Sequence, residues 1–177
     1  LRSLACGVAA ASFSLFAAGE AHAQTSFELG DPACSLGTVT SGGVGYTSCW
    51  GSFRGNNEPP AAVLGYLAGV GIDATYAGKT DSGMDSGPFE MFANASTGTL
   101  TLRDAIMGPF VVALKGGPRF SLYYFAGDGP WTSIAYDMEG VRSPAPGLSH
   151  ASLYTLGTTV VTPEPGTMAL LLLGFAG

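Results

Sequence analysis

FVVALKGGPRFSLYYF, Phe110–Phe125, is the stretch that decides the fold. Phe110 to Leu114 is rich in β-branched and aromatic residues, Lys115-Gly116-Gly117-Pro118 is turn chemistry, and Arg119 to Phe125 answers the first arm, which together predict a β-hairpin. In the second arm Phe120, Leu122 and Tyr124 share one face by the period of two. Working outward, Gly127-Asp128-Gly129-Pro130 turns into a strand over Trp131–Asp137, Ser143-Pro144-Ala145-Pro146-Gly147 is a loop, and Leu148–Leu156 reads as the last strand. Upstream, Tyr46–Trp50 with Ser52-Phe53, Ile72–Lys79, Phe89–Phe92 and Gly98–Leu102 are strand candidates punctuated by glycine. Only Ala61–Leu67, behind Pro59-Pro60, reads as helical, because proline suits a first helical position. Seven or eight short strands with regular turns predict an all-β domain over residues 24–160, a jelly-roll-like β-sandwich.

The two ends differ from this body. Arg2 is the only charge before Glu20, Leu4 to Ala18 is apolar and small, and Ala21-His22-Ala23 precedes Gln24. A charged start, a short apolar run and small residues at a cut define a secretory signal peptide, here an apolar helix over residues 1–23 cleaved after Ala23. The tail, residues 161–177, reads VTPEPGTMALLLLGFAG, and Met168 to Leu173 is an unbroken apolar run behind two prolines. A membrane span needs about 20 apolar residues. The run stops short of that at Gly177 and reads as a truncated transmembrane helix.

Pro163-Glu164-Pro165, the Gly166-Thr167 that follows and the Leu-rich run with Gly174 resemble the PEP-CTERM sorting signal of exported bacterial proteins. Pro163, Glu164 and Pro165 match the motif residue by residue, whereas the family's closing basic cluster has no counterpart in this sequence. Looser likeness extends to Gly147–Tyr154 and to the hairpin around Val111–Phe125. The resemblance implies processing by an exosortase and a place at the cell surface or in an exopolysaccharide or biofilm matrix. It implies an inner-membrane-anchored precursor held by the apolar tail and a later stage in the periplasm, at the surface or in the matrix.

Composition narrows the partners. Charged residues make up 11% of the chain, with 13 acids against 7 bases and a net charge of −6. That balance offers no basic patch for nucleic acid or anionic headgroups. Cys34 and Cys49 are the cysteines beyond Cys6, and in an exported chain they are most simply a disulfide. A metal site is the alternative, and it lacks ligands, since His150 is the only histidine after Ala23.

Catalytic constellations are scarce. His150 is the only base available to a serine nucleophile, and no G-x-S-x-G elbow occurs. The scattered carboxylates read as solvated turn residues rather than as a glycosidase pair. Asp81 and Asp85, in a loop rich in Ser and Gly, are the candidates for calcium, although the spacing is not that of an EF-hand. Trp50 and Trp131 are candidate carbohydrate contacts, weighed against ordinary packing between sheets. The sequence therefore predicts a non-enzymatic exported surface or matrix protein without a cofactor. A carbohydrate-binding module, or a polysaccharide-acting enzyme, is the rival reading.

Overall fold

The computed structural model describes residues 28–30, 32–55 and 58–157. Within them nine strands run in the order β1 (Thr40–Ser41), β2 (Val44–Gly45), β3 (Ser48–Arg54), β4 (Ala74–Asp81), β5 (Thr97–Ile106), β6 (Phe110–Gly116), β7 (Arg119–Phe125), β8 (Trp131–Asp137) and β9 (His150–Leu156). A helix, α1 (Pro60–Gly69), lies between β3 and β4, and two short 3-10 turns cover Cys34–Leu36 and Met138–Gly140. The strands form two open antiparallel sheets, one of four in the order β2-β1-β8-β5 and one of five in the order β3-β7-β6-β9-β4.

The hairpin at Phe110–Phe125 lies at the heart of this arrangement. β6 pairs with β7 from Phe110↔Phe125 to Gly116↔Arg119, so Gly117-Pro118 alone makes the turn. On its other side β6 pairs with β9. Every residue of β6 is buried. Phe110, Val112 and Leu114 enter the core between the sheets, where they meet Leu100, Ile134 and Tyr136 of the four-stranded sheet. Val111 and Ala113 point to the opposite face, into a second core with Phe120, Leu122, Tyr154 and the helix residues Val63 and Leu67. A strand buried on both faces carries an unbroken apolar run, which is what Phe110–Leu114 is. The molecule thus has three layers: four strands, five strands and α1.

α1 is built by local rules. Pro60 occupies its first turn after Pro59. Val63 and Leu67, four apart, share one face and are fully buried on the sheet. The helix stops at a Schellman motif: Gly71 N–H donates to the Ala68 carbonyl and Ile72 N–H to that of Leu67, with Gly71 at φ +83°. At the far edge of the five-stranded sheet, the Cys34–Cys49 disulfide ties the first 3-10 turn to β3 with Cα atoms 6.0 Å apart.

Several expectations are corrected here. The jelly-roll-like sandwich of seven or eight strands is replaced by two open sheets of four and five strands with a helix layer on one of them. β1 and β2 are two residues each, too short to show any alternation in sequence. Phe89–Phe92 is not a strand; Phe89 makes an isolated bridge to Leu102 and buries its ring. The transmembrane helix, and with it the inner-membrane anchorage and the membrane-held precursor, has no counterpart among the described residues. Among the described residues no helix is long and apolar enough to cross a membrane, α1 being ten residues. The signal-peptide helix of residues 1–23 and the tail of residues 161–177 lie outside the described residues.

Candidate functional site

Where the helix-side core ends, one face of the five-stranded sheet turns polar. β9 places His150, Ser152 and Tyr154 on that face by its period of two. β6 adds Lys115, which pairs in register with His150. β4 adds Tyr76, Lys79 and Asp81, an uneven spacing made possible by a bulge between Tyr76 and Gly78. Such an extra residue re-aims the side chains that follow it. Gly78 takes φ +139°, which a residue with a Cβ rarely adopts, and a Cβ there would meet Pro88.

Into this polar patch the loop before α1 inserts Glu58, whose side chain is 0% exposed. Tyr154 Oη donates to Glu58 Oε1 at 2.8 Å, and Ser152 Oγ donates to Oε2 at 3.3 Å. His150 Nε2 also lies 3.3 Å from Oε2. The other ring nitrogen, Nδ1, lies 3.7 Å from Asp81 Oδ1, and that oxygen is 3.2 Å from Lys79 Nζ. Lys115 Nζ donates to the Gly117 carbonyl. A buried carboxylate needs partners of this kind, because losing its water shell costs several kcal/mol.

The electrostatics follow from burial. Tyr154 has its phenol pushed well above the usual tyrosine range, first by desolvation and then by the Glu58 charge beside it. Tyr76 is raised for the same two reasons in the same order. Burial lowers the Lys115 ammonium, while Glu58 pulls it partly back and Lys79 pushes with desolvation. Two cations, Lys79 and Lys115, thus face two carboxylates, Glu58 and Asp81, around His150.

The polar side chains of this arrangement face one another: His150 Nε2 contacts Glu58, and Nδ1 lies toward Asp81. Ser152 is buried and its hydroxyl proton is committed to Glu58, away from His150. No buried side-chain polar atom among the described residues lacks a hydrogen-bond partner. In front of the network lies a hollow of about 310 Å³ walled by Glu58, Pro59, Pro60, Tyr76, Lys79 and His150. A larger groove, about 740 Å³, runs along the open side between the edge strands β4 and β5, with Leu102, Ile106 and Leu153 in its floor and Asp104 as its only charged side chain.

The residues singled out from sequence fall elsewhere. Trp131 is 7% exposed and belongs to the core between the sheets. Its Nε1 donates to the Gly108 carbonyl at 3.0 Å, and its ring packs on Phe110 and Phe125. That leaves no open indole face, so Trp131 as a sugar contact is corrected to a core residue. Trp50 is half-buried on the other side of the five-stranded sheet, beside Tyr66 and Tyr124, so the two indoles cannot form one platform. Asp81 and Asp85 are engaged separately, Asp81 by Lys79 with His150 beside it and Asp85 by Arg103. Among the described residues no group of His, Cys, Asp or Glu side chains is arranged to hold a metal ion. Ala21, Ala23, Gln24, Pro163, Glu164 and Pro165 lie outside the described residues.

Sequence reasoning missed Glu58. The signal was in β9 instead: His150, Ser152 and Tyr154 put polar atoms on a strand face that the sheet buries. Such a face calls for a buried partner, and an acid from a loop supplies it.

The class these observations define is an all-β domain of two open antiparallel sheets, closed on one face by a helix and stapled by a disulfide. No protein-family model, no curated protein and no solved structure matches the chain.

Proposed function

We propose that this chain is an exported, non-enzymatic domain of the bacterial surface or extracellular matrix, sorted through the tripeptide Pro163-Glu164-Pro165. The observation that carries the reading is the Cys34–Cys49 disulfide. Disulfides persist in oxidising compartments outside the cytoplasm and are rare inside it. The signal-like residues 1–23 with Ala21 and Ala23 at the cut, and the tripeptide at the other end, support the same address.

The absence of catalysis in this reading is supported by the engagement of the polar cluster. Glu58, His150 and Ser152 spend their hydrogen-bonding capacity on one another. The domain serves by being present and stable in the matrix. Its glycine-rich, charge-poor body suits a packed β scaffold.

The test is the intact mass of the protein recovered outside the cytoplasm, for wild type and Glu164→Ala. Processing at the tripeptide predicts a shorter wild-type chain and an unprocessed variant. Equal processing of both refutes sorting through these residues.

A further inference from the structure

We propose that the hollow in front of Tyr76 and His150 is a binding site for a single neutral pyranose ring. The proposal stands on the hollow itself and does not depend on export or sorting.

Size comes first. At about 310 Å³ the hollow sits at the small end of ligand sites, which run from about 300 to 1,000 Å³. It has room for one compact ring.

The walls set the chemistry. Pro59, Pro60 and the ring of Tyr76 present apolar surface, and Tyr76 is steadied by Tyr154, 5.5 Å away between ring centroids. Lys79 and His150 supply the polar side, with Asp81 next to both. A few placed polar groups on an otherwise apolar lining are what orient a small ligand. The charges cancel: Lys79 is paired with Asp81, and Lys115 feels Glu58 as its nearby anion. A free anion would meet Asp81 and Glu58, and a free cation would meet Lys79. A ring with hydroxyls around its edge and C–H bonds on its face suits both walls and disturbs neither pair.

The site is also held ready. Asp81 is fixed by Lys79 and His150, His150 by Glu58, and Glu58 by Tyr154 and Ser152. Side chains already ordered lose little entropy on binding. Lys79 and Asp81 remain 41% and 46% exposed, so their outer atoms are open to a ligand. The Tyr76/Gly78 bulge is what brings Tyr76 and Lys79 to the same side of an edge strand.

Saturation-transfer NMR on the full chain tests this with glucose, galactose, mannose, N-acetylglucosamine, maltotetraose and cellotetraose as probes, and alanine and acetate as charged controls. At least one sugar should saturate, with a Kd on the order of millimolar. Tyr76→Ala should weaken it about tenfold or more. Because that variant also loses packing, Lys79→Gln, on a half-open side chain, should weaken binding with an unchanged unfolding midpoint. Tighter binding of a tetrasaccharide than of its monosaccharide identifies a polymer as the source of the ring, and equal binding identifies a free sugar. The proposal is overturned if no sugar saturates, if alanine or acetate saturates instead, or if Lys79→Gln binds as wild type does.

Discussion

Replacing Glu58 by alanine removes one carboxylate and strands three donors at once. Tyr154 Oη and Ser152 Oγ lose their acceptor, and both residues are buried. His150 keeps only the longer contact to Asp81. Each orphaned buried group costs about 1–3 kcal/mol, but the three share one partner and do not add. Lys115, whose ammonium donates to the Gly117 carbonyl, also loses the nearby charge that pulls it partly back toward its usual range. The expected loss is therefore about 3 kcal/mol or somewhat more. At roughly 2–4 °C per kcal/mol that lowers the unfolding midpoint by about 10 °C. Urea titration at pH 7, followed by tyrosine fluorescence, measures it directly. Glu58→Gln, which keeps the shape and one acceptor oxygen for Tyr154, should cost about half as much. A loss for Glu58→Ala within about 0.5 kcal/mol of zero, the level of an ordinary surface change, would refute the network's role.

Other outcomes follow from the same geometry. Reducing the disulfide, or replacing Cys34 and Cys49 by serine, should cost about 3 kcal/mol in chain-entropy terms for a loop of 15 residues, read as a drop in the urea midpoint. Trp131→Ala should destabilise by about 3–5 kcal/mol as a core deletion, and Leu67→Ala by about 2–5 kcal/mol, the latter probing the helix layer separately. Stability should fall as pH rises above about 10, where unfolded tyrosines ionise. Tyr123 and Tyr154 are both raised by burial, so above that pH the folded state holds more protons than the unfolded state and loses ground. Their contribution is whole below pH 10, and Tyr123→Phe should flatten the alkaline slope of the urea midpoint.

Much of the strand layout is legible in the residues. Gly117-Pro118 fixes the hairpin, and Phe120, Leu122 and Tyr124 do share the helix-facing side. Pro59-Pro60 marks the helix start because a proline N–H is not missed there. How the strands distribute between sheets is not legible, since pairing is between residues far apart in sequence. β1 pairs with β8 across some 90 residues, and nothing in Thr40-Ser41 announces it. The helix layer was hidden for a related reason. Phe110–Leu114 shows that β6 is apolar on both sides, but not that α1 is what covers it.

The site was less legible than the fold. Trp131 drew attention because it follows a turn, yet the turn folds its indole inward onto Phe110 and Phe125. Glu58 looked like an ordinary loop acid because its three donors come from a strand more than 90 residues away. A lone histidine on a strand gave no hint that both its nitrogens would face carboxylates. Local pattern tells which face a side chain takes. Only the register of β4 against β9 tells what it meets there.

The most direct measurement on the proposed export is mass spectrometry of the native protein after fractionating the source cells, with free thiols alkylated before digestion. The account predicts a chain recovered outside the cytoplasm, beginning at Gln24, with Cys34 and Cys49 linked to each other. A cytoplasmic chain with both cysteines alkylated contradicts it.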